Sequence, residues 1–512
     1  MTQKINLRKI KLFLMISAML LASIQGAYLS PKPAYAASSL IQNDVFWKDT
    51  SNNNIYSQGG GILKVGNTYY WYGVKYNGAV TYANNPTSKN SDTSFNAITI
   101  YSSTDLSTWT FRGNAVVAGA AGTTFEPASW VGRLGAVYNA NTGKYVIIGQ
   151  YGGPAGAGVI FLTSTSPTGP FTYSHLESNI PNVVTATTGD QSVFVDDNGK
   201  AYLIFSNSNG RTHLYVAPIR ASDSLHIEPA TEVYTSTNGG REGNVMFKHN
   251  GYYYMVSSDL HGWNASHTYF IKSTNIMGPY SSESVMSGTN SDFSHVTQTG
   301  LAVTVTGSSG SFVVFGGDRW SDFAGNGIGY NQWVPISFSG STPYFNSLSQ
   351  WNIDVASGTW SVGAGNNYVL NPSFEADRVA QTSLAGWTNW DNLPSAEANA
   401  NVSGGQTGRW AMTQYYASAY NASMYQNISV PNGTYTLKAW VRSSGGQTTA
   451  HLFAKNFGGT EKTVAINSNM GSWTQKTISN IQVTNGSIQV GVFSVAGAGN
   501  WVRVDNFSLV KN

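Results

Sequence analysis

The chain of 512 residues contains no cysteine, which excludes both a disulfide framework and a thiolate metal site. Charge is scarce as well: 28 Lys and Arg and 25 Asp and Glu make up only 10% of the residues, far below the usual share of about a quarter. Beyond the first residues no Lys/Arg-rich stretch occurs, and the formal net charge is only +3, so nucleic acid is excluded as the partner. Extended runs of Ala, Glu, Leu and Lys with helical periodicity are missing, and so is any later apolar run long enough to cross a membrane. What is abundant is aromatic side chain, at 13%, together with 55 glycines, a composition that excludes disorder and fits neutral, hydrogen-bonding ligands. The length exceeds what one compact core accommodates and implies more than one domain.

Lys4, Arg8, Lys9 and Lys11 precede the apolar run from Leu12 to Ala22, and the small-x-small triplet Ala34-Tyr35-Ala36 follows. This order predicts a secretory signal peptide over 1–36 and a secreted, extracellular protein. The alternative, an N-terminal anchor, would need about 20 consecutive apolar residues.

From residue 43 to 354 Val, Ile, Tyr, Phe and Trp alternate with small polar residues, the pattern of sheet. One hairpin recurs, an apolar strand, a turn ending in glycine and an aromatic-rich strand, with its turn at Gly66, Gly143, Gly199, Gly251 and Gly310. These glycines are expected to supply the positive φ of a tight hairpin. Recurrence at intervals of roughly 50 to 80 residues suits propeller blades. Ser/Thr-rich segments at Tyr101–Asp105, Thr163–Pro167 and Lys272–Asn275 would each turn the chain toward an outer strand. The predicted fold class is all-β: a five-bladed β-propeller over 40–356, a Gly-rich linker over 357–366, and a β-sandwich, jelly-roll-like, over 367–512. A tandem of β-sandwiches is the alternative. In the second domain Trp387, Trp390, Trp410, Tyr415, Tyr416 and Trp473 are candidates to stack on sugar rings, so this half reads as a carbohydrate-binding module, core packing being the alternative for each ring.

Acidic residues in the first domain are few. Asp49, Asp92, Asp196, Asp197, Asp223, Glu228 and Glu283 lie in polar or turn contexts and are expected to be solvated. Asp190 and Glu242 stand at equivalent points, each just ahead of a strand that opens a repeat, and Glu126 sits in an apolar surround. The first strand of a propeller blade lines the central channel, so Asp190 and Glu242 would converge there. Two carboxyl groups at one channel suit glycoside hydrolysis, with Glu242 as proton donor and Asp190 raising its pKa. The alternative is that both only bind sugar hydroxyls or hold loops.

Residues 43–355 resemble glycoside hydrolase family 43, and within it the subfamily 24 exo-β-1,3-galactanases. The resemblance rests on Gly59–Gly66 with Tyr69–Gly73, on Phe194–Tyr202, on Arg241-Glu242 ahead of Met246-Phe247, and on Gly262-Trp263-Asn264, Thr297-Gln298-Thr299 and Gly317–Trp320. It implies that Glu242 is the general acid, Asp190 its pKa modulator and Gln298 the residue that orients water, with inversion at the anomeric carbon. Trp263, Asp318, Arg319 and Trp320 would shape the sugar subsite. The chain departs from the subfamily pattern at Gln58, where His is usual, at Val74, where Glu is usual, and at Gly132, where Glu is usual; Glu126 is a candidate to replace the missing carboxylate. Residues 367–512 resemble carbohydrate-binding module family 61 through Leu370–Glu375, Gly433–Leu437, Leu452–Gly459 and Gly499–Trp501 with Asp505.

The function expected is therefore a secreted inverting glycosidase that releases galactose from the end of β-1,3-galactan or arabinogalactan chains. An arabinofuranosidase or xylosidase on the same scaffold and a non-catalytic glycan-binding propeller are the alternatives. The partner would be a plant cell-wall or other extracellular polysaccharide, with no nucleic acid and no membrane, and the chain is expected to be a monomer. No cofactor or metal is expected to be required, although a structural Ca2+ is not readable from sequence.

Overall fold

The computed structural model describes residues 39–86, 90–320, 330–395 and 397–512. The signal peptide expected over 1–36 lies outside the described residues. The fold is all-β. Five four-stranded antiparallel sheets follow one another in chain order, each a simple meander. They open with Gln58–Val65, Trp130–Asn139, Thr188–Val195, Arg241–His249 and Gln298–Thr306.

The first two strands of every sheet form the hairpin legible in the sequence. Gly66, Gly143, Gly199 and Gly251 have φ of 58, 66, 78 and 81°, values that a side chain would resist. Asn250 at φ 47° precedes Gly251, giving the Asn-Gly pair of a two-residue turn. Gly310 differs, because it is not in the left-handed region. Its carbonyl accepts from Gly307 N–H at 2.9 Å and lies against Gly358, where a Cβ would have no room, whereas a Cβ on Gly310 itself would meet only the Gly358 carbonyl at 3.8 Å. The Ser/Thr segments do link third to fourth strands. In the first of them Ser103 Oγ accepts from the Asp105 and Leu106 amides, while Asp105 Oδ1 accepts from those of Ser107 and Thr108.

Apolar cores join the sheets in a closed circuit. Ile98, Leu134 and Ile160 join the first sheet to the second, Val146 and Phe205 the second to the third, and Ile204 and Met255 the third to the fourth. Val256 and Val334 join the fourth to the fifth. The circuit closes between fifth and first through indoles: Trp71 lies 5.0 Å from Trp333 and 5.2 Å from Trp109, with Trp47 5.3 Å from Trp333. Such large aromatic burial supplies much of the drive to close the ring. Asp49, Asp196 and Glu283 are not the solvated carboxylates expected from sequence, because each finds partners. Asp49 is buried and accepts from backbone amides, Asp196 bonds Lys248 and Tyr253, and Glu283 grips the buried Arg241 guanidinium at 2.5 and 2.7 Å.

Residues 357–366 are not a free linker, since Thr359–Val362 pairs with Gln350–Asp354, which also pairs with Ser39–Gln42. The alternating Thr-Trp-Ser-Val pattern lets Trp360 meet Trp351 edge-on. Beyond it two five-stranded sheets enclose a second apolar core, an arrangement consistent with a β-sandwich after a propeller. Trp387 and Trp410 belong to that core, whereas Trp390 and Tyr415 are exposed. Arg378 ties the sandwich to the fourth sheet by donating to Ala265 O at 2.6 Å.

Candidate active site

All five opening strands carry the same irregularity. Each pairs regularly from the hairpin turn and then slips register, between Gln58 and Gly61, Gly132 and Gly135, Thr188 and Gln191, Glu242 and Val245, and Thr299 and Leu301. A bulge bends a strand and re-aims its side chains, and bulges concentrate beside active sites. Here they turn Arg133, Asp190, Glu242 and Gln298 into one cavity of about 550 Å³, within the range of small-ligand sites. Arg133 adopts φ 50°, unusual for a side chain of its size, and is held there by ion pairs to Asp190 at 2.7 Å and Asp318 at 3.3 Å.

Glu242 and Asp190 are buried and share their cations. Arg211 Nη1 donates to Glu242 Oε2 and stands 3.7 Å from Asp190 Oδ1. Asp190 Oδ2 also accepts from the Gly243 amide at 2.9 Å. Burial alone would raise the Asp190 carboxyl, but Arg133, Arg211 and that amide hold it below its ordinary value. Glu242 goes the other way. Burial and the negative charge of Asp190 push it up to about 7 against the pull of Arg211 and Arg133, so a large fraction is protonated near neutrality. Two carboxyl groups in one cavity with pKa values driven apart are what an acid and its modulator require.

Gln298 is the third member. Its amide nitrogen donates to Glu242 Oε1 at 2.9 Å and to the Gly262 carbonyl, and its oxygen accepts from Trp320 Nε1 at 2.8 Å. These partners fix which end of the amide faces Glu242. Trp320 lies 4.8 Å from Trp263, Trp263 lies 5.7 Å from Trp130, and Trp130 stacks on Tyr76 at 5.8 Å, giving the same cavity an aromatic wall.

The structure thus brings together Glu242, Asp190, Gln298, Trp263 and Trp320. Asp318 stands behind them: it accepts from the Gly59 amide at 3.0 Å, pairs with Arg133 and does not line the cavity. Arg319 is on the other side of its strand, as the period of two requires, and reaches Asp44 at 3.2 Å in a different cavity of about 640 Å³. That larger cavity contains neither Glu242 nor Asp190, so no chemistry is assigned to it. Glu126 does not replace a missing carboxylate, because it accepts from Gly122 N–H within its own loop. At Gly132 a Cβ would lie 3.0 Å from the Trp130 ring and 3.4 Å from the Tyr76 hydroxyl, so the glycine makes room for the indole. Sequence reasoning missed Arg133, Arg211, Trp130 and Tyr76. The one available signal was Arg133 bracketed by Gly132 and Gly135 at the point where the other repeats carry Asp190 and Glu242.

The chain is similar to several known proteins. The crystal structure of an exo-β-1,3-galactanase from Phanerochaete chrysosporium with β-1,3-galactotriose is 22% identical, covers 92% of this chain and 100% of that chain, and superposes with a TM-score of 0.57. A family 61 carbohydrate-binding module in complex with β-1,4-galactotriose is 24% identical over 28% of this chain and 99% of that one, with a TM-score of 0.26. A 1,6-α-glucosyltransferase of Sporosarcina globispora is 35% identical over 156 residues, a match that takes in 28% of this chain and only 12% of that protein. Residues 60–327, just over half of the chain, match the signature of Glycosyl hydrolases family 43. On that match the chain belongs to glycosyl hydrolases family 43 and is a glycosidase.

Proposed function

We propose that this protein is a secreted, inverting exo-glycosidase that removes galactose from the end of β-1,3-galactan or arabinogalactan chains. In this reading the five four-stranded sheets are the blades of a propeller, the sandwich is a galactan-binding module, and the chain acts as a monomer. The observation that carries it is the carboxyl of Glu242, pushed up to about 7 and held in a sugar-sized cavity beside Gln298 and an aromatic wall. Glu242 gives its proton to the glycosidic oxygen as the bond to the anomeric carbon breaks. A water hydrogen-bonded to the oxygen of Gln298 adds to that carbon from the opposite face and loses its extra proton to solvent, from which Glu242 is reprotonated. Asp190, kept ionised by Arg133 and Arg211, holds the proton on Glu242 until it is needed. The indole of Trp263 offers the apolar face of the terminal sugar a stacking surface. Side chains and solvent supply every step, and no cofactor enters the scheme.

A second reading has its own support. Gly132 and Trp130 put an aromatic wall where the galactanase pattern carries a hydrogen-bonding carboxylate, while Val74 is buried in the core and does not line the cavity. Loss of partners for sugar hydroxyls shifts discrimination, which would favour a pentose in the same seat. Incubation with β-1,3-galactotriose, followed by NMR of the first product, separates the readings. α-Galactose released from the chain end supports the first, and its β-anomer overturns inversion. No galactose, with pentose freed from aryl arabinofuranoside or xyloside, supports the second.

A further inference from the structure

The sandwich sheet containing Gly433–Ser443 and Trp501–Lys511 turns Val441, Val502 and Val504 into the core. Alternation places Arg442 and Arg503 on the outer face. The two arginines stand directly opposite each other in the antiparallel register. Like charges facing across a strand pair repel, so the placement is unfavourable for folding alone. Among the described residues no carboxylate forms an ion pair with either guanidinium, and the Nε atoms of both are buried without a hydrogen-bond partner. Burial and the charge of Arg442 pull the pKa of Arg503 below its ordinary value.

Aromatic rings surround the pair. The Arg503 guanidinium lies 5.0 Å over Trp501, and that of Arg442 lies 5.9 Å from Trp501 and 5.8 Å from Trp473. Tyr415, 48% exposed, faces Trp501 across the neighbouring strand. Indoles orient the guanidiniums and offer a flat apolar surface beside them.

We propose that this face is a saccharide site distinct from the catalytic cavity, and that it takes a carboxylated sugar, a uronate. Its carboxylate lies between Arg442 and Arg503 and its ring stacks on the aromatic side chains beside them. Guanidinium forks match the planar carboxylate in geometry and charge, and two of them supply the counter-charge that the protein itself withholds. A neutral galactan segment would leave both cations uncompensated. The site draws on none of the residues that perform hydrolysis, so its failure and failure of the galactanase reading are separate results.

The test titrates the full chain with methyl β-D-glucuronide, with methyl β-D-glucoside as its neutral twin and sodium sulfate as a bare anion, by calorimetry. The glucuronide is expected to bind at least ~10-fold tighter than the glucoside, with affinity falling as NaCl is raised. Arg442→Gln and Arg503→Gln are each expected to weaken it ~10-fold or more, while Glu242→Gln leaves it unchanged. Equal affinity for glucuronide and glucoside, sulfate binding as tightly as the glucuronide, or undiminished affinity in both arginine variants would each overturn the proposal. If neither glutamine variant folds, the salt dependence of the wild-type chain and the conservative Arg503→Lys decide: a flat salt response, or full affinity in the lysine variant, counts against it.

Discussion

Replacing Asp190 by Asn tests the electrostatic core of the site. One nitrogen of Arg211 reaches both carboxyl groups, so their nearest oxygens are at most about 6 Å apart. At an effective dielectric of about 20, two negative charges at that distance repel by about 3 kcal/mol, or about 2 pKa units. The substitution also releases Arg133 and Arg211 to favour ionised Glu242, so every consequence has the same sign. The Glu242 carboxyl, about 7 in the wild type, should therefore fall to about 5. At pH 7 the protonated fraction then drops from about a half to about a hundredth, a loss of about 50-fold in kcat/KM. At pH 5 the loss is only about twofold. The assay is kcat/KM for β-1,3-galactobiose between pH 4 and 8, with circular dichroism to verify folding. A basic limb that stays at the wild-type pH in the Asp190→Asn protein refutes the assignment of Asp190 as modulator.

Arg211→Gln should do the reverse, moving the basic limb to higher pH, because Arg211 is the largest influence favouring ionised Glu242; a downward shift in the pH profile contradicts that role. Glu242→Gln should reduce hydrolysis by about 100-fold or more with galactotriose affinity nearly intact, and unchanged turnover would remove Glu242 from the mechanism. The same variant reports on stability. A carboxyl raised on folding contributes fully below its unfolded value of 4.5 and loses that contribution as the pH rises through about 7. The melting temperature of Glu242→Gln relative to wild type should thus climb between pH 4.5 and 7.5, up to the equivalent of ~3 kcal/mol; a constant difference is the contrary result. Arg133→Met leaves Asp190 and Asp318 buried without their shared cation and should lower stability in urea by about 3 to 5 kcal/mol. Adding Asp318→Asn should recover part of it, and no recovery would mean that the pair is not coupled.

Much of this was legible because it is local. Turn glycines at Gly66, Gly143, Gly199 and Gly251 need only their own φ, and alternation along a strand needs only the period of two. The bulges that build the site were not legible, since slipping register by one residue is decided by the neighbouring sheet. Gly61 lies against the Leu134 carbonyl and Gly135 against Val193, so the fit between adjoining opening strands sets where each ladder breaks. The same reason explains Arg319. Its neighbours Asp318 and Trp320 serve the site, but a motif quoted as one stretch hides that consecutive strand residues face opposite ways. Arg133 and Arg211 escaped notice because a buried cation carries no sequence mark; its need becomes visible only when the carboxylates around it are placed. For Trp387 and Trp410 a core place and a sugar-facing place both stood open, since composition does not say which side of a sandwich strand a ring occupies.

Charge balance around the cavity gives a further constraint on the acid. Asp190, Glu242 and Asp318 are three buried carboxyl groups, and Arg133 and Arg211 are the two guanidiniums that reach them. The cluster is neutral when it holds one proton, and a region poor in solvent favours neutrality. Glu242, pushed to about 7, and Asp318, pushed to about 6, compete for that proton. Asp318 is the weaker competitor because Arg133 and the Gly59 amide both stabilise its ionised form. Asp190, paired at 2.7 Å, does not compete. The proton therefore resides mainly on Glu242, and the two arginines act by keeping it off Asp190 and Asp318. The acid is thus prepared for transfer by the charges packed around it inside the same cavity and, at Asp318, behind it.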